Sequence, residues 1–238
     1  YAFIRPIPPH NAEKSGGHTM LKHSYHARLS VWHVVLLVII LAVSLPVIAK
    51  PAGSPTDLVK QTSDNMLAAL KIYRPMIKDD PRYLFIIVNE VLAPHVDMEA
   101  VARMALGKHW ATASAAQRQR FTQEFTALLV QFYSLSLAEY LNLHELPQDV
   151  IEFLPARDRL SPHNSLVHTR VHPPRGKPVE VNYCLHQVGE EWKVFDVTVD
   201  GISIVTAYRS VFTSELRKHG IDGLIATLSD QNRRLLKA

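Results

Sequence analysis

The sequence predicts an α+β fold in which helices come first, a four-stranded antiparallel meander follows, and helices close the chain. Three observations carry this. From about residue 57 to 141, apolar residues recur at spacings of three and four. Between residues 150 and 199 the period drops to two, in four runs separated by short turns. After Ile202 the helical period returns.

Taken in order, residues 1–19 are polar with scattered Pro and Gly, and read as disorder or an over-extended start ahead of Met20. Residues 20–49 read as a signal peptide. Lys22, His23, His26 and Arg28 precede the apolar run Val34–Leu45, and Val47 and Ala49 suit the −3 and −1 positions, with cleavage before Lys50. The competing reading is a retained anchor over Val31–Ala49, with His33 and Pro46 near its ends counting against it. Residues 50–56 form a linker, and the domain runs from 57 to 238. Thr56 or Asp57 caps a first helix carrying Leu58, Met66, Leu67 and Leu70, which stops before Pro75. Asp80-Pro81 supplies the cap and first residue of a second, carrying Leu84, Ile87, Val88 and Val91. Asp97 caps a third, ending near Gly107. Ser114 opens the longest, about Ala115 to Leu141, whose apolar surface spreads from a stripe to most of its circumference. The strands are Val150–Leu154, Leu166–His172, Val179–Gln187 and Trp192–Val199. One closing helix runs from about Ile202 to His219; another starts at Asp222.

The sheet faces are unequal. Val167, Thr169 and Val171 share a face with Val181, Tyr183 and Leu185; His168, Arg170 and His172 share the other with Asn182, Cys184 and His186. One face is therefore covered by helices and the other is partly wet. Charge argues against a nucleic-acid binder. The 26 basic and 22 acidic residues of the chain include four and one in the first 49. That leaves 22 against 21, a balance near +1, whereas phosphate binding needs a clustered positive surface. Cys184 is the sole cysteine, so no internal disulfide forms.

Catalytic patterns are weak. Gly201-Ile202-Ser203 lacks the second glycine of a nucleophile elbow. No glycine-rich phosphate loop, H-E-x-x-H or C-x-x-C occurs. Asp196 and Asp200 could pair as carboxylates, but nothing else catalytic accompanies them, and backbone-bonding residues are the preferred reading. His168 with Cys184 could touch one metal. His168 and His172, four residues apart on a strand and so roughly 13 Å apart, could not. A solvated polar face is preferred, and no metal is expected. The large side chains Trp110, Phe121, Phe125, Phe132, Tyr133 and Tyr140 fit a core or a pocket equally well.

Two stretches are more specific. The first is Leu106-Gly107-Lys108-His109-Trp110, then Gln117-Arg118-Gln119-Arg120-Phe121 and Glu124-Phe125. The second is Trp192-Lys193-Val194-Phe195-Asp196-Val197, then Asp200-Gly201-Ile202-Ser203, Tyr208-Arg209-Ser210, Phe212 and Gly220-Ile221-Asp222-Gly223-Leu224. Their order and spacing resemble the MlaC, or toluene-tolerance, family of periplasmic lipid-binding proteins from about Asp57 to Arg234. The resemblance implies a cystatin- or NTF2-like fold, with a curved sheet wrapped around an internal apolar cavity. It implies no enzyme activity and no cofactor beyond phospholipid as cargo. The implied partners are an outer-membrane lipoprotein complex and an inner-membrane ABC transporter with an MCE-domain subunit. The histidine-rich sheet face and the long N-terminus depart from the family.

On that reading the cavity lies between the long helix, the apolar sheet face and the helix after Gly201. The candidate lining is Trp110, Phe121, Phe125, Leu128, Leu129, Phe132 and Tyr133; then Val167, Val181, Tyr183, Leu185 and Val194; then Val205, Tyr208 and Phe212. About half are expected to be plain core, because pocket and core share one pattern. Arg209 could meet a head-group phosphate, but an internal ion pair with Asp196 or Asp200 is preferred. The rival functions are a membrane-anchored periplasmic scaffold with a solid core, and a small NTF2-like hydrolase or isomerase with a polar group deep in its cavity.

Overall fold

In the computed structural model, which describes residues 53–236 other than 146, 148, 156–160 and 175, the first helix starts where the chain offers a complete cap. Helix α1 spans Pro55–Asp79. The Ser54 hydroxyl accepts from Asp57 N at 3.1 Å, the Asp57 carboxylate accepts from Ser54 N at 3.3 Å, and Pro55 takes the first position. The cap thus lies ahead of the expected Thr56 or Asp57. The helix also runs through Pro75 rather than ending before it. Leu70 and Ile77, buried on either side, gain about 1.5–3 kcal/mol each. That offsets the roughly 3 kcal/mol an interior proline costs. Residues 1–49, with the expected signal peptide and the cleavage site before Lys50, lie outside the described residues.

Asp80 does not cap the second helix. Its carboxylate accepts from Arg82 N at 3.0 Å and pairs with the Arg82 guanidinium at 2.8 Å, making a turn ahead of α2, Tyr83–Val91. A 3₁₀ turn follows at Ala93–His95, then α3, Met98–Leu106, between its Asp97 cap and Gly107. The short α4, His109–Thr112, leads to α5, Ala115–Leu143, opened by a Ser114–Gln117 capping box.

The sheet contains β1 (Ile151–Phe153), β2 (Asn164–Val171), β3 (Val179–Val188), β4 (Glu191–Val199) and β5 (Ile202–Ser203), ordered β1-β2-β3-β4-β5 and antiparallel throughout. The α+β class is as expected, with five strands instead of four. Asp200-Gly201 is the reason. Both residues take positive φ, 47° and 80°, and Val199 pairs with Ile202 across them, so this is a two-residue hairpin of the Asp-Gly kind. On β4, Phe195 is an extra residue between the pairs Cys184–Asp196 and Leu185–Val194, a bulge of the sort that bends a strand. The closing segment α6, Ile204–Leu235, consists of two helices that meet, as expected, at a non-helical Gly220 with φ 68° and ψ −170°.

Three apolar clusters form and remain separate. The largest joins α3, α5 and α6 through Val101, Leu106, Phe121, Phe125, Leu128, Phe212 and Leu228. A second joins α1, α2 and α5 through Leu70, Ile77, Leu84, Ile87 and Leu141. A third packs Val59 of α1 on Val167 and Leu185 of the sheet. No helix of the described residues is long and apolar enough to cross a membrane.

Candidate binding cavity

Between these clusters lies a cavity of about 330 Å³. Its wall is built by Met66 of α1, Val88 of α2, Met98 and Val101 of α3, Leu129, Val130, Tyr133 and Leu137 of α5, Val194 and Val197 of β4, and Val205 of α6. A second lobe of about 280 Å³ adjoins it, lined by Leu58, Val59, Leu67, Ile151 and Tyr183 among others. Met66, Leu92, Val96, Val194 and Val197 are common to both lobes. Interiors pack to crystal density with few voids larger than a water, so a space of this size between folded elements is not ordinary core.

Local sequence sets the frame. Val96 bridges to Val194, and Asp97 N donates to Val194 O at 2.9 Å, so the start of α3 is pinned to β4. The Asp97 carboxylate caps α3 through Ala100 N at 2.9 Å and lies 2.9 Å from His186 Nε2 on β3. Asp196 does the same for α6. It accepts from Val197 N at 2.8 Å, Ser203 Oγ at 2.6 Å and Val205 N at 3.2 Å, while Ser203 Oγ accepts from Thr206 N at 3.0 Å. Asp200 accepts from Glu180 N at 3.0 Å. Both carboxylates are therefore engaged with backbone and turn chemistry.

The sequence-derived residues fall into three groups. Leu129, Tyr133, Val194 and Val205 line the main lobe; Tyr183, with Val194, lines the second. Phe121, Phe125, Leu128, Tyr208 and Phe212 pack into the α5–α6 core. There Phe125 meets Tyr208 and Phe212 edge-on, with ring centroids 5.1 Å apart in each case. Val167 and Leu185 are buried under α1, and Val181 pairs with Thr169 and Val199 within the sheet. Trp110 lies on the rim of the main core with the Arg118 guanidinium 5.5 Å over its ring, and Phe132 is 45% exposed. Arg209 forms neither of the pairs considered for it. Its Nε donates to Met104 O at 2.6 Å, at the C-terminal turn of α3, where a cation meets the negative end of the helix. Sequence reasoning missed Val88, Leu92, Val96, Met98, Val101 and Val130 as lining. For Val88, Met98 and Val101 the signal was the apolar stripe on α2 and α3, which had to face something; Leu92 and Val96 lie outside the helices and Val130 on α5.

The polar sheet face is occupied by its own pairs. His168 Nδ1 is 3.0 Å from Asn182 Oδ1, and His172 Nε2 is 2.9 Å from Glu152 Oε2, which holds that carboxyl below its ordinary range. Burial and the adjacent Asp196 push the Cys184 thiol up, the opposite of what a thiolate ligand needs. No cluster of three metal-ligating side chains occurs among the described residues.

Residues 60–230 match the family model described as MlaC protein. The toluene tolerance protein ttg2D of Pseudomonas putida is 30% identical over 185 residues, covering 77% of this chain and 83% of that one. The intermembrane phospholipid transport system binding protein MlaC of Haemophilus influenzae is 28% identical, covering 84% and 92%. A solved phospholipid-binding protein from Ralstonia solanacearum, in complex with a phospholipid, superposes with a TM-score of 0.68 at 25% identity, over 77% of this chain and 99% of that one. With its α+β architecture and nearly three quarters of its length inside the family model, this chain belongs to the MlaC family.

Proposed function

We propose that this protein carries phospholipid without acting on it chemically, its acyl chains held in the two-lobed cavity. Exported by a cleaved leader, it works in the periplasm between an outer-membrane lipoprotein complex and an inner-membrane ABC transporter with an MCE-domain subunit. It thereby helps maintain outer-membrane lipid asymmetry. The observation that carries the reading is the cavity itself, whose walls are mainly apolar, aliphatic with Tyr133, Phe195 and Tyr183 among them. A water there finds few of the two to four polar partners it needs, whereas an acyl chain finds none missing.

The energetics suit a carrier. Two chains of ~16 carbons gain on the order of 20 kcal/mol on leaving water, before ordering costs. A bilayer offers nearly the same gain, so exchange at a membrane complex is close to balanced, and release follows when a partner favours an open state. Native mass spectrometry of residues 50–238 taken from a bacterial periplasm, with lipid extraction, tests this. The expected result is a mass excess equal to one or two phospholipids. A bare protein mass that persists after incubation with phospholipid vesicles would mean the space is not a lipid site.

A further inference from the structure

Acyl chains need a way into the cavity, and the exposure of its wall locates one. Of the described residues that line the two lobes, Tyr133 of α5 alone is exposed, at 44%; the others are buried or half-buried. All of them see the same internal space, so the excess at Tyr133 faces outward, and this side chain belongs to wall and surface at once. Beside it Phe132 is 45% exposed and meets Tyr133 edge-on, with ring centroids 5.4 Å apart. Across the seam to α6 its neighbour is the half-buried Tyr208. The two tyrosines are held differently. Tyr208 is braced by the core, its ring centroid 5.1 Å from that of Phe125 and 5.6 Å from that of Phe212. Among the described residues, the one aromatic ring stacked on Tyr133 is that of the exposed Phe132.

We propose that Tyr133 is the gate of the cavity: its ring closes the mouth between α5 and α6 against the fixed Tyr208 and swings aside to pass an acyl chain. The proposal rests on the carrier reading above. The residue type suits the place, since tyrosine presents an apolar body to the chains and a polar tip to water. A side chain half in solvent changes rotamer quickly, whereas one packed among core rings does not. The exposed Phe132 extends the apolar path one step outside the mouth, so a chain in transit keeps apolar contact instead of meeting water along its whole length. A gate differs from a wall in kinetics. A wall residue holds bound lipid and acts mainly on release. A gate that stands open about a tenth of the time slows uptake and release alike, about tenfold, and leaves the affinity in place.

The test follows a phosphatidylethanolamine with one pyrene-labelled acyl chain as it leaves and re-enters phosphatidylcholine vesicles, by stopped-flow fluorescence. Uptake and release rates are measured for the unaltered protein, Tyr133→Ala, Tyr133→Trp and the wall variant Leu129→Ala, each checked for an unchanged circular dichroism spectrum. Tyr133→Ala is expected to raise both rates together by about tenfold, with the equilibrium constant moving less than about twofold. Tyr133→Trp, a larger ring at the same half-exposed position, slows both and keeps the test decisive if the alanine variant folds poorly. Leu129→Ala speeds release and leaves uptake unchanged. If the Tyr133 variants change release alone, as Leu129→Ala does, or change neither rate, the gate is overturned while the carrier reading stands. If the unaltered protein takes up no labelled lipid, the carrier reading fails and the gate falls with it.

Discussion

Asp196 and Tyr208 set the chemistry at the residue scale. Asp196, 8% exposed, gathers one hydroxyl and two backbone N–H groups and thereby fixes α6 to β4. Asp196→Ala leaves those donors orphaned, and the cost is expected at about 3 kcal/mol, read from urea unfolding midpoints at constant slope. Tyr208 is pushed up to about 12, first by burial and then by neighbouring Tyr133. Its raised value means the folded state keeps a proton that the unfolded chain releases near pH 10. Tyr208 therefore contributes stability in full below pH 10 and loses it as pH rises toward 12. Alkaline unfolding curves for the protein and for Tyr208→Phe should diverge in that window; coincident curves would contradict the assignment. The capping role of Asp196 was half legible in the sequence, as a polar residue serving nearby backbone. The seat of Arg209 on Met104 O was not, because the two are 105 positions apart and no local pattern connects them.

The informative failures at the element scale come where local rules compete with packing. Pro75 reads as a helix end, yet Ile77 beyond it is fully buried against α2 and α5, and the helix continues to reach it. Asp200-Gly201 is a strong hairpin signal, yet the strand it generates is two residues long and carries no period to detect. Gly220, by contrast, breaks the closing segment into two helices as its sequence position predicts, in a backbone region that is essentially glycine's alone. Gly220→Ala should cost about 2 kcal/mol, measured by thermal unfolding; an unchanged midpoint would show that the kink tolerates a side chain. Gly223 supports the same bend, since a Cβ there would fall 2.2 Å from that of His219.

At the scale of the whole molecule, the three clusters that do not merge are what create the cavity. Leu129→Trp projects a larger side chain into existing space. It should cost less than the ~1–3 kcal/mol of overpacking a filled core, and copurifying lipid should fall by about tenfold or more, on the order of the binding energy a blocked lobe forfeits. Mass spectrometry of the intact protein and its melting temperature read both effects. Retained lipid in a stable Leu129→Trp protein would place the cargo elsewhere.

The sequence by itself determined the α+β class, the order of the helices and four of the strands, the caps at Asp97 and Ser114, and the family. Each of these is written in local spacing or in residues a few positions apart. The tertiary structure alone decided which apolar residues line space and which fill it. Phe121 and Val130 belong to one helix and read alike from periodicity, yet the first is sealed against Phe125 and Phe212 while the second lines the cavity. Periodicity reports the side of a helix that leaves water. It carries no information on whether the opposing layer comes close enough to touch, which depends on three clusters assembled from residues far apart in the chain.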